Sequence, residues 1–162
     1  IIADLAAVHL GTFSPPYDIS QYQINLSGYT EYTHLEIDMS IVGTSNAYYK
    51  IRFNANASNA YDYVRLTAPT RSDGNTEYFV GDVTMTNDVQ QKSHNRLMLI
   101  EPYRTDVFKR WIDYGGAPEW NARANMTGGM WRNTSAITEL NITPSAGLLT
   151  SNTVVSIYGW VG

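Results

Sequence analysis

The feature that most constrains the fold is a two-residue hydrophobic period in residues 35–41. Apolar side chains occupy the odd positions of this segment, and Glu36, Asp38 and Ser40 occupy the even ones. Because successive side chains of a β-strand point to opposite faces of a sheet, the pattern predicts a strand with one buried face. The same alternation recurs in three other segments, at 22–26, 49–53 and 155–158.

Turn-forming residues separate these segments at intervals of roughly 10 to 15 residues, which is typical of sandwiches and jelly rolls. The 12 tyrosines and 4 tryptophans also favour strands, since bulky side chains fit a pleated surface. We therefore predict an all-β fold, a single antiparallel β-sandwich or jelly-roll domain with little or no helix. The predicted turns lie at 14–16, 27–28, 43–46, 54–59, 73–75, 87–88, 115–116, 128–129 and 144–147.

Three segments depart from simple alternation. Residues 97–100 are apolar at every position, which predicts a strand buried on both sides, in the core or at a subunit contact. Residues 106–114 fit one or two helical turns as well as a strand, and we predict a strand. Gly81 lies inside an apolar run, where it predicts a β-bulge.

The chain of 162 residues predicts one compact domain, because no internal repeat or shift in composition divides it. We divide it into residues 1–16, an N-terminal arm or edge segment, and residues 17–162, the β-sandwich domain. The apolar residues 1–8 are too few for a membrane span and lack the positive charge of a signal peptide. We expect no membrane partner.

Composition argues against several kinds of site. The chain has no cysteine, which excludes disulfides, thiolate metal sites and cysteine nucleophiles. A net charge of −4 argues against nucleic acid as a partner, since such binding depends on phosphate contacts. His9, His34 and His94 have no metal-ligand spacing, so we predict no metal site and no cofactor.

Paired carboxylates are the best candidates for catalysis. Glu36 and Asp38 share one face of their predicted strand, about 7 Å apart by strand rise. Such a pair could serve glycoside hydrolysis, but any strand with a solvated face offers one. Glu77, Asp113 and Glu119 are equally unspecific, and no nucleophile, phosphate-binding or dinucleotide motif is present. We predict that the protein is not an enzyme and has no catalytic, cofactor-binding or metal-binding residues.

Aromatic residues allow three interpretations. Trp111, Tyr114 and Trp120 flank the predicted turn at 115–116, and further tyrosines crowd the first predicted hairpin. They could fill the core, form a subunit contact or stack against sugar rings, and we rank these roles in that order. The hairpin tyrosines are Tyr17, Tyr22, Tyr29 and Tyr32.

The last third of the chain carries the most specific motif. A Gly-Met-Trp sequence at 129–131 is followed by Ser-Ala-Ile-Thr at 135–138 and then by an alternating segment. After a short predicted loop, a closing strand ends in Ile-Tyr-Gly at 157–159. This arrangement resembles a motif of structural proteins from tailed bacteriophages, in which the closing strand ends in Leu-Tyr-Gly.

Two upstream segments extend the resemblance. Residues 32–35 read Tyr-Thr-His-Leu and residues 52–54 read Arg-Phe-Asn, each similar to a strand of the same family. The order and spacing of all four segments agree over roughly residues 22–159, with a weaker match in 70–116. The motif residues read as determinants of the fold, with Trp131 as a core anchor and residues 158–159 as the end of a central strand.

The resemblance implies a virion structural protein, commonly a trimer. We expect a capsid decoration (cement) protein on the outer surface of the capsid, a homotrimer that binds the major capsid protein or other virion proteins. The apolar residues 1–8 could add a strand to a neighbouring chain. The alternative is a tail-fibre, receptor-binding module that grips host polysaccharide through Trp111, Tyr114 and Trp120. A β-sandwich hydrolase ranks last.

Overall fold

A computed structural model describes residues 6–56, 60–67, 70–77, 82–85, 87, 89, 92–100, 103, 106–117 and 123–161. All regular structure among these residues is β-strand, and none of them forms a helix that could cross a membrane. The strands are β1 (Val8–Phe13), β2 (Tyr22–Asn25), β3 (His34–Ile41), β4 (Ala47–Phe53), β5 (Tyr61–Thr67), β6 (Thr70–Glu77), β7 (Asp82–Met85), β8 (Ser93–Leu99), β9 (Lys109–Ala117), β10 (Arg123–Trp131), β11 (Glu139–Pro144) and β12 (Val154–Trp160).

The strands form two antiparallel sheets. The larger sheet has the order β1-β12-β3-β8-β9-β10-β5-β6, and the smaller sheet has the order β2-β11-β4-β7. The apolar faces of the two sheets enclose one hydrophobic core, which contains residues from both. The molecule is therefore an antiparallel β-sandwich, as the two-residue hydrophobic period predicts.

Strand β3 shows how the sequence produces this packing. Its residues alternate strictly between buried and partly exposed, and Ile37 and Ile41 are completely buried. β12 lies beside β3 and follows the same rule, with Val155 and Ile157 in the core. Alternation therefore assigns the even positions of β3 to the opposite, outer face of the large sheet.

Three of the predicted turns are wrong. Residues 115–116, 128–129 and 73–75 lie inside strands β9, β10 and β6. At Gly115 and Gly129 the reason is packing: a side chain at Gly115 would collide with the Asn95 amide, and one at Gly129 with the Trp111 ring. These glycines make room for neighbouring side chains. The turns predicted at 27–28 and 144–147 are confirmed, the second with Gly147 at a φ of +70°.

The remaining strand predictions are confirmed in part. Residues 97–99 end strand β8, where Leu97 and Leu99 are buried but Met98 is partly exposed on the other face, so burial on both sides is wrong within this chain. Strand β9 begins at Lys109, which confirms a strand over most of 106–114. Gly81 lies outside the described residues.

The N-terminal segment contributes a strand to the large sheet. Residues 8–13 form β1, which pairs with β12 at the sheet edge with a register shift between His9 and Gly11. Residues 1–5 lie outside the described part of the chain. The edge of the large sheet is therefore formed by residues that precede the rest of the sandwich in the sequence.

The motif segments meet one another in the folded chain. The Asn54 side chain, at the end of β4, donates a hydrogen bond to the Ala136 carbonyl at 2.7 Å. Its amide oxygen accepts bonds from the backbone N–H groups of Thr138 at 2.9 Å and Glu139 at 3.1 Å. The Arg-Phe-Asn segment thereby fixes the loop that contains Ser-Ala-Ile-Thr.

The aromatic motif residues pack in the core. Trp131 is completely buried, and its ring lies 5.7 Å from the Phe53 ring and 6.3 Å from the Tyr61 ring, centroid to centroid. Tyr32 lies against Gly159, where any Cβ would overlap its ring. The interpretation of Trp131 as a core anchor is confirmed, and the motif residues hold the fold together.

Candidate functional site

The outer face of the large sheet, which points away from the core, carries the candidate site. Antiparallel pairing brings residues of neighbouring strands into rows across this face. One row contains Asp38 of β3, Arg96 of β8 and Tyr114 of β9, which are register partners in that order. The adjacent row contains Ser40, His94 and Gly116 of the same three strands.

These two rows line an open groove of about 530 Å³. Its residues include Asp38, Ser40, His94, Arg96, Tyr114 and Gly116. Gly116 has no side chain and pairs with His94 in the register, so the groove is open at this point. We call this feature the polar groove.

Arg96 organises the polar groove. Its Nε and Nη2 donate hydrogen bonds to the two carboxylate oxygens of Asp38, at 2.5 and 3.0 Å. Its Nη1 lies 3.0 Å from a carboxylate oxygen of Glu36, and its guanidinium carbon lies 5.8 Å from the centre of the Tyr114 ring. These partners, Asp38 first, raise the pKa of Arg96 above its ordinary value despite partial burial. Three charged side chains are thus fixed in one geometry.

Smaller polar groups complete the groove. The Ser40 hydroxyl oxygen is buried and has no hydrogen-bond partner among the described residues. Ser156, on the far wall, shares a 3.0 Å hydrogen bond with Thr12, and Thr12 shares one of 2.9 Å with His9. The groove therefore combines a prearranged ion-pair network with at least one hydroxyl that lacks a partner.

An apolar area lies beside the polar groove on the same face. Met98 of β8, Ile112 of β9, Gly128 of β10 and Val64 of β5 form a continuous row of register partners. Met126, which pairs with Tyr114, is 50% exposed, and Val64 is 43% exposed. Gly128 lies in a shallow depression of about 290 Å³. We call Val64, Met98, Ile112, Met126 and Gly128 the apolar strip.

The structure separates two of the three aromatic residues proposed as a sugar platform. Trp111 is 1% exposed and packs in the core, whereas Tyr114 is 39% exposed on the outer face. Trp120 lies outside the described residues. Two residues three positions apart on a strand must point to opposite faces, so Trp111 cannot share a surface with Tyr114. Strand periodicity alone could have revealed this.

The tyrosines of the first predicted hairpin divide between core and surface. Tyr22, Tyr29 and Tyr32 pack against the hydrophobic core and are partly buried. Tyr17 is 69% exposed. Burial raises the pKa of Tyr22 and of Tyr29. Three of the four tyrosines therefore contribute to the core, the role ranked first from the sequence.

The carboxylate candidates lie in different environments. Glu36 and Asp38 do share the outer face of β3, and both bind Arg96. Asp113 is buried in the core, where it accepts a hydrogen bond from the Asn95 amide. Glu119 and the side chain of Glu77 lie outside what the structure describes. Asp38 and Glu36 therefore act as partners of an arginine in this arrangement.

The histidines also lie apart from one another. His9, His34 and His94 belong to β1, β3 and β8, and His34 shares a 2.9 Å hydrogen bond with Thr33. Among the residues with described positions, no three His, Asp or Glu side chains are grouped so that they could hold a metal ion.

Sequence reasoning missed Arg96, because its role depends on cross-strand register rather than on a local motif.

Comparisons with known proteins give a similarity of fold at low scores. The sequence matches no protein-family model and no curated protein sequence. The Caenorhabditis elegans galectin LEC-6 aligns over 90% of this chain and 94% of its own, with 9% identity and a TM-score of 0.39. An exo-inulinase from Aspergillus awamori aligns over 96% of this chain and 29% of its own, with 8% identity and a TM-score of 0.35. A legume lectin-like domain from Entamoeba histolytica aligns over 100% of this chain and 87% of its own, with 14% identity and a TM-score of 0.24. These values are too low to bear on function.

Proposed function

We propose that this chain is a non-enzymatic structural protein of a tailed-phage virion, a decoration protein that binds the outside of the capsid shell as a homotrimer. The observation that carries the proposal is the apolar strip on the outer face of the large sheet. A protein whose role is to contact other proteins needs such a surface, whereas a catalytic role would need a cluster of reactive groups.

The chemistry of the apolar strip suits a permanent contact between identical subunits. Obligate interfaces are more hydrophobic than transient ones, and methionine is enriched in them. The strip presents Val64, Ile112 and Met126, and its row from Met98 to Val64 contains no charged side chain. The depression at Gly128, whose lining also includes Asp62 and Arg110, can receive a side chain from a partner. We assign the strip to the contact between copies of this chain.

The contact with the capsid is assigned to the N-terminal segment. Among the described residues, β1 pairs with β12 alone, so the backbone groups on its other edge can pair with another chain. The apolar residues 1–8 could extend that pairing onto a neighbouring capsid subunit. The virion itself is inferred from the sequence motif, whose residues form core contacts in this fold.

Two measurements test the proposal. Antibody labelling of purified virions of the encoding phage, imaged by electron microscopy, should give regular label over the head shell. Label restricted to the tail would favour the polysaccharide-binding alternative, and unlabelled virions would refute both.

The second measurement is oligomeric state by light scattering. We expect a trimer for the unaltered chain and a monomer for Met126→Lys, because a charge buried in an apolar contact is costly. Tyr48→Lys is the control, because Tyr48 is 44% exposed on β4 of the other sheet. A monomer for the unaltered chain, or a trimer that survives Met126→Lys, would contradict the assignment of the strip.

A further inference from the structure

We infer that the polar groove is a binding site for a neutral, hydroxyl-rich saccharide. This inference goes beyond the proposed function, which needs only protein contacts. The groove lies beside the apolar strip and shares no residue with it, so one face can carry both. Its volume of about 530 Å³ lies within the usual size of ligand sites, about 300–1,000 Å³.

The first reason is the balance of hydrogen-bonding groups. Each sugar hydroxyl both donates and accepts hydrogen bonds, so a site for sugars must present both kinds of partner side by side. In the lining, Asp38 is an acceptor, Arg96 is a donor, and Ser40 supplies a hydroxyl that has no partner among the described residues. All of them lie on two adjacent strands.

The second reason is preorganisation. Arg96 is held by two hydrogen bonds to Asp38 and by an ion pair with Glu36. Side chains already fixed in one geometry lose little conformational freedom when a ligand arrives, which lowers the cost of binding. A carboxylate bound by arginine keeps lone pairs for further donors, so the network can still accept bonds from a ligand.

The third reason is charge. Asp38 and Arg96, the acid and the arginine in the lining, form an ion pair and cancel each other's charge. This balance disfavours phosphate, sulfate and acidic sugars, because the Arg96 guanidinium is already neutralised by Asp38 and Glu36. The same groups suit an uncharged polyhydroxyl ligand.

The fourth reason is the position of Tyr114 and Gly116. Tyr114 is 39% exposed at the edge of the groove, where its ring offers an apolar surface. Gly116 points to the same face two residues further along β9 and leaves the space next to that ring open. A sugar ring has apolar C–H faces, for which the Tyr114 ring is the partner, and a polar rim, for which Asp38 and Arg96 in the same row are the partners.

The experiment uses the intact protein and an array of neutral and acidic oligosaccharides, followed by calorimetry with the strongest neutral probe. The matched variants are Tyr114→Ala in the groove and Tyr48→Ala on the other sheet, since these tyrosines are 39% and 44% exposed. We expect binding to neutral probes, weakened about tenfold or more by Tyr114→Ala and unchanged by Tyr48→Ala.

Two further variants keep the test decisive. Asp38→Asn breaks the Arg96 network and should weaken binding, provided that circular dichroism shows an intact sheet. Gly116→Val adds a side chain to the lining of the groove at a position that takes no part in the ion pairs, so it should abolish binding even if Asp38→Asn misfolds. No binding to neutral probes, binding to acidic probes alone, or binding that survives both Tyr114→Ala and Gly116→Val would overturn the inference. The oligomeric state of each variant separates this result from a failure of the proposed trimer.

Discussion

The indole ring of Trp111 lies directly over the backbone of Gly129. The two residues are register partners in β9 and β10, and a Cβ at position 129 would come within 2.6 Å of the Trp111 Cζ2 atom. It would also overlap the Asp62 carbonyl oxygen of β5. A glycine in the middle of a strand is unfavourable by itself, so its presence here is explained by the space that the buried indole needs.

Gly129→Ala should therefore destabilise the protein, by about 2 to 4 kcal/mol, because overpacking forces the Trp111 ring or the backbone of β5 to move. Gly28→Ala is the control. A Cβ at Gly28, which lies in the turn after β2, would meet no atom within 4 Å, so stability should change by less than about 0.5 kcal/mol. Urea unfolding followed by tryptophan fluorescence measures both. Equal effects of the two substitutions would contradict this packing.

A second test concerns the contribution of Lys109 to stability. Lys109 is a buried cation that binds backbone carbonyls. Its Nζ donates hydrogen bonds to the carbonyls of Val107 at 2.5 Å, Thr134 at 2.9 Å and Asn133 at 3.4 Å. Burial lowers the pKa of Lys109, and the charge of Asp106 opposes that shift. The ammonium group joins the start of β9 to the loop after β10.

We expect Lys109→Met to reduce the free energy of unfolding by about 2 to 4 kcal/mol, because three backbone carbonyls lose a charged donor. Lys92→Met serves for comparison, since the Lys92 Nζ lies at a long distance of 3.5 Å from the Asn152 carbonyl oxygen. A thermal melt of each variant is sufficient. Similar melting temperatures for the two would show that the Lys109 contacts contribute little.

Asn54 provides a third test, on the junction between two motif segments. Asn54 and Ala55 both have a φ of 51°, in the left-handed region that costs a residue with a Cβ about 1 kcal/mol. Asn54→Ala removes four hydrogen bonds to residues 136–139 and should cost about 2 to 4 kcal/mol. Ala55→Gly relieves strain at an exposed residue, so it should leave stability unchanged or raise it by up to about 1 kcal/mol.

Urea unfolding of Asn54→Ala and Ala55→Gly decides between the possible outcomes at this junction. Loss of stability in Asn54→Ala together with no loss in Ala55→Gly supports a junction held by the Asn54 amide. A large loss in Ala55→Gly would indicate that the left-handed turn is not maintained in solution.

We expect the buried Tyr61 hydroxyl to make the stability of the fold depend on pH in the alkaline range. Its hydroxyl accepts a hydrogen bond from the Phe53 N–H at 3.0 Å, and burial raises its pKa from 10.0 to about 12. The unfolded chain loses this proton near pH 10, whereas the folded chain keeps it until about pH 12. The stabilisation from Tyr61 is therefore complete below pH 10 and falls between pH 10 and about 12, by roughly 3 kcal/mol in all.

Tyr61→Phe isolates this effect, because the other tyrosines are common to both proteins. We expect the variant to be about 1 kcal/mol less stable than the unaltered chain at pH 8, because at this pH the substitution only removes the hydrogen bonding of the Tyr61 hydroxyl. The difference should shrink and then reverse as the pH approaches 12. Urea unfolding at pH 8, 10 and 11.5 measures it. A constant difference across this range would contradict a raised pKa at Tyr61.

Much of the strand content follows from the sequence. Alternation in residues 35–41 and 49–53 predicts strands β3 and β4 and their buried faces, because strand periodicity is a local property of the backbone. Trp131 was likewise predicted to be a core anchor, and it is completely buried. For these strands and for Trp131, the local sequence was sufficient to predict the structure.

The glycine pairs show where local reasoning fails. Residues 115–116 and 128–129 look like turns, because glycine most often serves the backbone conformations that turns require. Gly129 instead accommodates Trp111, which lies 18 positions earlier in the chain but next to it in the sheet. Such a role can be identified only once the register is known.

The candidate site depends on tertiary structure for the same reason. The sequence by itself determined an all-β chain, its principal strands and the face of β3 on which Glu36 and Asp38 lie. Only the tertiary structure placed Arg96 beside those two carboxylates and put Tyr114 on the same surface. Alternation fixes which face a side chain occupies, whereas pairing between distant strands fixes which side chains meet across that face.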